Sequence, residues 1–249
     1  MFTSPGDEAS ALAENIKKVV EHRSTNSSRS RQKAIGLSEI GDPCPRKLAY
    51  KLLDWNQPNA STDPWASIQG TAIHSWLANA FERFNDKSNP RFLIEFKVKV
   101  TDDLGGTCDL FDTLDGVVID HKCMGATSMK ARKKDGMTHQ QRVQINCYGL
   151  GAEKMGHEVK KVAIACYPLG GRLDGLHTIV EDYDKQIALD AIERLDGIKA
   201  IVWQLDVEAN PSAWSLIPAV PAYGCVYCPF YLPGSTNLSL GCPGEGEVA

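Results

Sequence analysis

The pair Asp115-Gly116, set between two runs of β-type residues, constrains this chain more than any other stretch. Asp-Gly between apolar runs predicts a tight hairpin, because both residues tolerate the positive φ that a two-residue turn demands. With a loop of two residues, Leu114 pairs with Val117, Phe111 with Asp120, and Asp109 with Lys122. Side chains alternate along a strand. Asp109, Phe111, Val118, Asp120 and Lys122 therefore share one face of a sheet. Asp120 falls diagonally from Asp109, near enough for two carboxylates to converge on one cation. A charged solvent rim and a catalytic site both fit these residues.

The surroundings read as α/β. "RFLIEFKVKV" (91–100) alternates, with Phe92, Ile94, Phe96, Val98 and Val100 on one buried side, and Glu95, Lys97 and Lys99 on a solvated one. Further strands are predicted over 107–114, 117–123, 160–167 and 174–181. Helices are predicted over 8–22, from Pro45, and over 63–85, 138–154 and 183–205, by apolar period and by the suitability of proline for a first helical turn. In helix 63–85 the apolar arc is Ile68, Ala72, Trp76, Ala80, Phe81 and Phe84. The span from strand 117–123 through helix 138–154 to strand 160–167 is long enough for a βαβ crossover. A mixed sheet flanked by helices follows. Residues 1–7 read as disordered, the basic, Ser-rich stretch 23–33 as a linker or exposed loop, and the Pro- and Gly-rich stretch after 205 as loops.

A chain of 249 residues, 43% hydrophobic and 23% charged, holds one sizeable domain, or one plus a small appendage. No apolar run is long enough to span a bilayer and the N-terminus lacks a secretory pattern, so a cytoplasmic protein without a membrane partner is expected. The net charge of −4 excludes a uniformly basic coat but not a local basic groove. The basic stretch from Lys17 to Lys51 and "KARKK" at 130–134 each read equally as phosphate track or solvated face.

Eight cysteines in a reducing compartment are not a disulfide framework. Cys108, Cys123, Cys147 and Cys166 sit singly in apolar surroundings and read as core thiols. Cys225, Cys228 and Cys242 cluster late, and Cys44, just before a helix, is the natural fourth partner. On the residues alone a Cys₄ zinc site is favoured. His74 sits at the edge of its helix's apolar arc, one turn after Gly70, which would let backbone or ligand approach the imidazole. Gln144 and Tyr148 share one face of helix 138–154. Each taken alone is an ordinary polar edge.

The ordered set Gly70-x3-His74, Gly106-x2-Asp109, Asp120-x-Lys122, Gln144-x3-Tyr148 resembles the RecB-type branch of the PD-(D/E)xK nucleases. One early and three late cysteines make it similar to the iron–sulfur subgroup of that branch, which takes in the CRISPR adaptation exonuclease and stand-alone phage relatives. The resemblance covers roughly residues 40 to 245. It implies a restriction-endonuclease-like fold, with residues 1–34 as an N-terminal helix and linker, 35–205 as the nuclease core, and 206–249 as a C-terminal region tied to Cys44 by a metal cluster. It implies a divalent metal held by His74, Asp109, Asp120 and the backbone carbonyl of His121. The His121 imidazole itself projects to the opposite sheet face. Lys122 would orient the attacking water, and Gln144 and Tyr148 would position the site. Arg46 and Tyr50 would lie near the DNA path.

Two carboxylates suit Mg²⁺, and one imidazole turns the preference toward Mn²⁺. By resemblance Cys44, Cys225, Cys228 and Cys242 hold a [4Fe–4S] cluster. The implied activity is a DNA exonuclease acting on single-stranded ends with 5′→3′ polarity. An endonuclease or flap nuclease with the same site, and a catalytically silent DNA-binding adaptor, stay open beside it. No GxxxxGK[ST] motif is present, so the chain is not its own helicase. A homo-oligomer, or a helicase or recombination partner, also stays open.

Overall fold

The computed structural model describes residues 5–25, 35–61, 63–220 and 223–244. Its elements are α1 (Pro5–Thr25), α2 (Pro45–Leu52), α3 (Trp65–Phe84), β1 (Phe92–Lys99), β2 (Gly105–Asp112), β3 (Val117–Met124), α4 (Ala126–Asp135), α5 (His139–Lys154), β4 (Lys161–Pro168), β5 (His177–Asp182) and α6 (Lys185–Leu205). The five strands form one sheet in chain order, β1-β2-β3-β4-β5. Only β3 and β4 run parallel, and the crossover between them carries α4 and α5. The chain is therefore an α/β protein with a mixed sheet flanked by helices.

α5 is the central helix. Thr138 and Gln141 close a reciprocal capping box at its start, which satisfies two amide groups that a helix end leaves unpaired. Every residue from Val143 to Ala152 is buried. A Cβ on Gly151 would stand 2.5 Å from Val98 Cβ, so glycine is what lets α5 lie this close to β1. The same close seating presses Gln144 and Tyr148 toward the sheet.

The β2–β3 turn differs from the expected one. Asp112 pairs with Val117, Phe111 with Val118 and Leu110 with Ile119, so the loop has four residues, Thr113 to Gly116. Asp112 builds it. Its Oδ1 accepts the Leu114 N–H at 3.1 Å, and its carbonyl accepts the Gly116 N–H at 2.9 Å. Arg91 Nε donates to both oxygens of the same carboxylate at 2.9 and 3.0 Å. Gly116 supplies the positive φ, +66°. The register moves by two residues, so the side-chain faces are kept, but Asp120 now follows Asp109 directly across rather than diagonally.

β1 also departs from simple alternation. Glu95 has φ +44°, a left-handed conformation uncommon for a residue with a Cβ. Phe92, before it, meets Phe81 of α3, whereas Phe96 and Val98, after it, meet Phe111 and Gly151 on the α5 side. The expected single apolar face of 91–100 is thus split in two at Glu95.

The expected apolar arc of α3 is corrected as well. Leu77 is its one buried residue, while Trp76 and Phe84 are 70% and 76% exposed and Ala72 is exposed. Both sides of this helix are apolar, so its period does not say which side packs. α1 reaches Thr25, taking in part of the expected linker and, at its start, residues 5–7. The rest of that linker, 26–33, and residues 1–4 lie outside the described residues. The strand expected over 174–181 begins only at His177, after a 3₁₀ turn over Leu173–Gly175. α4 answers to no expected helix, since its sequence has no apolar period.

Candidate active site

The β2–β3 ladder stops at Leu110↔Ile119, while β3 stays paired with β4 through Met124. A gap therefore opens between β2 and β3 beyond that point, at the C-terminal end of the parallel pair, where α/β sheets generally place ligands. Glu95 and Asp109 come opposite each other between the pairs Ile94↔Leu110 and Phe96↔Cys108, so the left-handed kink of β1 faces the place where the strands part. The resulting cleft, about 460 Å³, is bordered by His74, Glu95, Asp109, Asp120, Lys122, Gln144 and Tyr148 among others. Six of these residues belong to the set expected from sequence. Glu95 was expected on a solvated face. It is exposed, yet it borders the cleft; the alternation of the strand pointed to solvent, and only the resemblance, in which some relatives carry an acidic residue near here, pointed to the site.

Asp109 is held from two sides. His74 Nδ1 lies 3.3 Å from its Oδ1, and the His121 N–H donates to its Oδ2 at 2.8 Å. That amide would have served the β-ladder had the strands stayed together. Burial works to raise the Asp109 carboxyl, but the contact with His74 and its charge outweigh it and leave the pKa lowered. The Asp109 carboxylate in turn raises His74, against the opposing effect of burial.

Asp120 is the opposite case. It is 3% exposed. Burial, helped by the charge of Asp109, pushes it up to about 6 although Lys122 pulls it down. Gln144 Nε2 donates to its Oδ1 at 3.1 Å and to the Tyr148 hydroxyl at 3.0 Å. Lys122 Nζ stands 2.7 Å from Oδ2, yet Oδ2 is buried without a well-directed hydrogen bond. Burial also raises the Tyr148 phenol, so it remains protonated. The two neighbouring carboxyls are thus driven in opposite directions, Asp109 down by His74 and Asp120 up by burial.

The His121 ring does not border the cleft but meets the His74 ring edge-on, 6.1 Å between centroids. It stacks on Phe81 at 5.8 Å between centroids, and burial lowers its pKa to about 4. The space beside Gly70 is open, with nothing within 4 Å of an added Cβ, so no backbone approaches His74 there.

Among the described residues, no group of three or more His, Cys, Asp or Glu is arranged as a ready-made metal site. In the cleft the donors are instead engaged with one another, as His74 with Asp109 and Lys122 with Asp120. The donor set still suits a hard divalent cation, and the buried Asp120 Oδ2, although 2.7 Å from Lys122 Nζ, accepts no well-directed hydrogen bond.

Cys44, Cys225, Cys228 and Cys242 border one small cavity elsewhere, and none of the eight cysteines is in a disulfide. The Cys228 N–H donates to the Cys225 carbonyl at 2.9 Å, closing the CxxC turn. Arg46 Nη1 is 3.8 Å from Cys242 Sγ. Four cysteines border this one cavity, but among the described residues they are not gathered into a metal site. Cys108, Cys147 and Cys166 are buried as expected, while Cys123 is half-buried.

The surrounding segment corrects the expectation for Tyr50. Tyr50 is 1% exposed, stacked on Trp214 at 4.2 Å and on Phe230 at 5.0 Å, and its hydroxyl donates to the Leu238 carbonyl. Arg46 Nε donates to the Ile217 carbonyl at 3.0 Å, Trp55 Nε1 to Ser239 at 2.7 Å, and Asn59 Nδ2 to Val226 and Cys228 at 3.0 Å each. These residues hold the C-terminal turns, and Tyr50 has no surface to offer a DNA strand.

No family model matches this sequence, and no curated protein matches it. Among solved structures the chain is similar to an alkaline exonuclease from Laribacter hongkongensis, with 12% identity over 76% of this chain and 97% of the other and a TM-score of 0.49; the same exonuclease is also known in complex with dAMP. It is similar to a phage-related exonuclease from Haemophilus somnus, with 12% identity over 71% and 96% of the two chains and a TM-score of 0.47.

Proposed function

We propose that this chain is a metal-dependent DNA exonuclease of the RecB-type PD-(D/E)xK kind, degrading single-stranded ends with 5′→3′ polarity. The observation that carries the reading is the meeting of His74, Asp109, Asp120, Lys122, Gln144 and Tyr148 around one cleft, although they come from two strands and two helices. A solvated rim would not need a carboxyl as buried as Asp120.

In this reading His74, Asp109, Asp120 and the His121 carbonyl hold Mn²⁺ or Mg²⁺. The N–H and C=O of an extended residue leave the same strand edge, so the His121 carbonyl is directed to the gap where its N–H meets Asp109. When bound, the ion supplies Lewis-acid polarisation of the scissile phosphate. The ammonium of Lys122 orients the attacking water and offsets charge on the phosphate. Gln144 fixes Asp120 Oδ1 with one amide hydrogen and Tyr148 with the other, so the carboxylate keeps its aim. Cys44, Cys225, Cys228 and Cys242 hold a [4Fe–4S] cluster, which ties the region 206–249 to the 35–205 core.

The test uses anaerobically purified protein with 5′- or 3′-labelled single strands and a closed single-stranded circle, in Mn²⁺, Mg²⁺ and EDTA, beside Lys122→Ala. Shortening of linear strands from the 5′ end, with the circle spared and no activity in EDTA or in the variant, is the expected result. Cutting of the circle makes the enzyme an endonuclease. Folded protein that binds strands and cuts none in any metal makes it an adaptor.

A further inference from the structure

Asp109 and Asp120, both bordering the cleft, carry four carboxylate oxygens, and three of these meet groups fixed in place. Asp109 Oδ1 has His74 Nδ1 at 3.3 Å, Asp109 Oδ2 has the His121 N–H at 2.8 Å, and Asp120 Oδ1 has Gln144 Nε2 at 3.1 Å. One of these groups is a backbone amide, and the other two are carried by the helices α3 and α5. Asp120 Oδ2 is the exception. Its close neighbour of opposite charge is Lys122 Nζ at 2.7 Å, and the contact is not a well-directed hydrogen bond. Charge holds this pair, and direction does not.

The two members of the pair are unequally free. The Asp120 side chain is 4% exposed and has its other oxygen held by Gln144, whereas the Lys122 side chain is 29% exposed on a flexible four-carbon stem. Residues 120 and 122 lie on one face of β3, so the ammonium can turn back to Asp120 or forward into the cleft with no change of backbone. A carboxylate as buried as Asp120 needs a counter-charge, and here Lys122 supplies it. On the nuclease reading the same two side chains have separate tasks, Asp120 as a ligand of the divalent ion and Lys122 as the group that orients water at the phosphate. One oxygen does not serve both cations, because two positive charges at such close range repel.

We infer that Lys122 is a counter-ion that the divalent cation displaces from Asp120 Oδ2, so that the ammonium is released to the phosphate only once that cation is held. This rests on the nuclease reading above and adds an order of events to it, with exchange of cations before contact with the strand. Asp120 stays neutralised throughout, and the lysine is withheld from a strand until the cleft is loaded.

The test measures Mn²⁺ binding to the full chain, without nucleic acid, from the electron paramagnetic resonance signal of free Mn²⁺ at one pH and one ionic strength. Wild type is compared with Lys122→Ala, and Lys122→Ala is measured again in ethylammonium chloride and in tetramethylammonium chloride. If Lys122 occupies Oδ2 in about nine molecules of ten, only about a tenth are competent, and Lys122→Ala should bind Mn²⁺ about 10-fold more tightly. Ethylammonium carries the N–H groups of the lost lysine head and should weaken that binding. Tetramethylammonium has the same charge and no N–H, and should leave it unchanged. Wild-type crystals soaked in Mn²⁺ give a second measurement that needs no variant to fold: the ion should lie on Asp120, with Lys122 Nζ beyond hydrogen-bond reach of Oδ2. An ion on Asp120 with Nζ still against Oδ2, a folded Lys122→Ala that binds Mn²⁺ no more tightly, or equal weakening by the two ammonium ions overturns the exchange, while strand cleavage still judges the nuclease reading by itself. If neither wild type nor the variant takes up Mn²⁺, the metal reading and the exchange fall together.

Discussion

The cleft and the cysteine pole both gather potential metal donors, and they gather them in opposite ways. In the cleft Asp109 and Asp120 come from adjacent strands already fixed by the sheet, and each is balanced by a nearby cation, His74 or Lys122. At the pole the donors come from opposite ends of the chain, and Arg46, Tyr50, Trp55 and Asn59 hold the late segment through its backbone carbonyls. The cleft borrows its shape from the fold. The pole is part of what makes the fold close. Loss of a cleft donor should therefore remove chemistry and spare structure, and loss of a pole donor should do the reverse.

Asp120→Asn tests the first half most severely. On the nuclease reading, turnover of a labelled strand should fall at least about 10³-fold, roughly 4 kcal/mol of transition-state stabilisation. The melting temperature in EDTA at pH 7 should hold or rise, because a buried carboxyl is replaced by a neutral amide. An Asn variant that unfolds would erase the distinction between the two regions.

Cys228→Ser should act on the fold. If the cluster is present, the variant loses visible-range absorbance and at least about 2 kcal/mol of stability, since metal binding is coupled to folding. Thermal melts and limited proteolysis of the segment after 217 read this out. A colourless, zinc-containing wild type prepared without oxygen would replace the cluster with zinc and leave the structural role intact.

The pH dependence sharpens the contrast further. Asp120 is raised by burial to about 6, above the roughly 3.9 of an unfolded aspartate. A carboxyl raised on folding contributes stability that is fully present below the unfolded value and lost as pH rises through the folded one. Between pH 4 and pH 7 in EDTA, wild type should lose stability relative to Asp120→Asn by at most about 3 kcal/mol. A flat difference across that window would mean that Lys122 neutralises Asp120 completely.

The smallest effect concerns Glu95. Its left-handed backbone costs about 1 kcal/mol that glycine would not incur, partly offset by the entropy that glycine loses on folding. Glu95→Gly should leave the melting temperature unchanged or slightly higher, with turnover within about threefold of wild type. A drop beyond tenfold would enlist the carboxylate itself in the cleft.

These regions were not equally legible in the sequence. The hairpin and the crossover could be read because alternation and helical period are local signals, whereas His74, Gln144 and Tyr148 were set apart only by the resemblance to a nuclease family, each being an ordinary polar edge by itself. The turn length could not, because Asp112 rather than the Asp115-Gly116 pair organises the loop, with Arg91 gripping it from before β1. The inversion at Glu95 leaves no mark in residue type. The packing side of α3 was ambiguous because Trp76 and Phe84 are as apolar as Leu77 and Phe81. Tyr50 was drawn toward a DNA path by its place after Cys44, whereas Trp214 and Phe230, far along the chain, decide its burial.

The hydrogen bonds from α2 and the residues just after it to residues 217–242 have a temporal consequence. They join the early part of the molecule to its late part, so on a ribosome none can form until nearly all the intervening sheet has been made. Closing so long a loop costs only slightly more than closing a moderate one, but it waits longest. The seam along Arg46, Tyr50 and Trp55 is thus the last stitch of folding, and the first place where a newly made chain stays open to proteases.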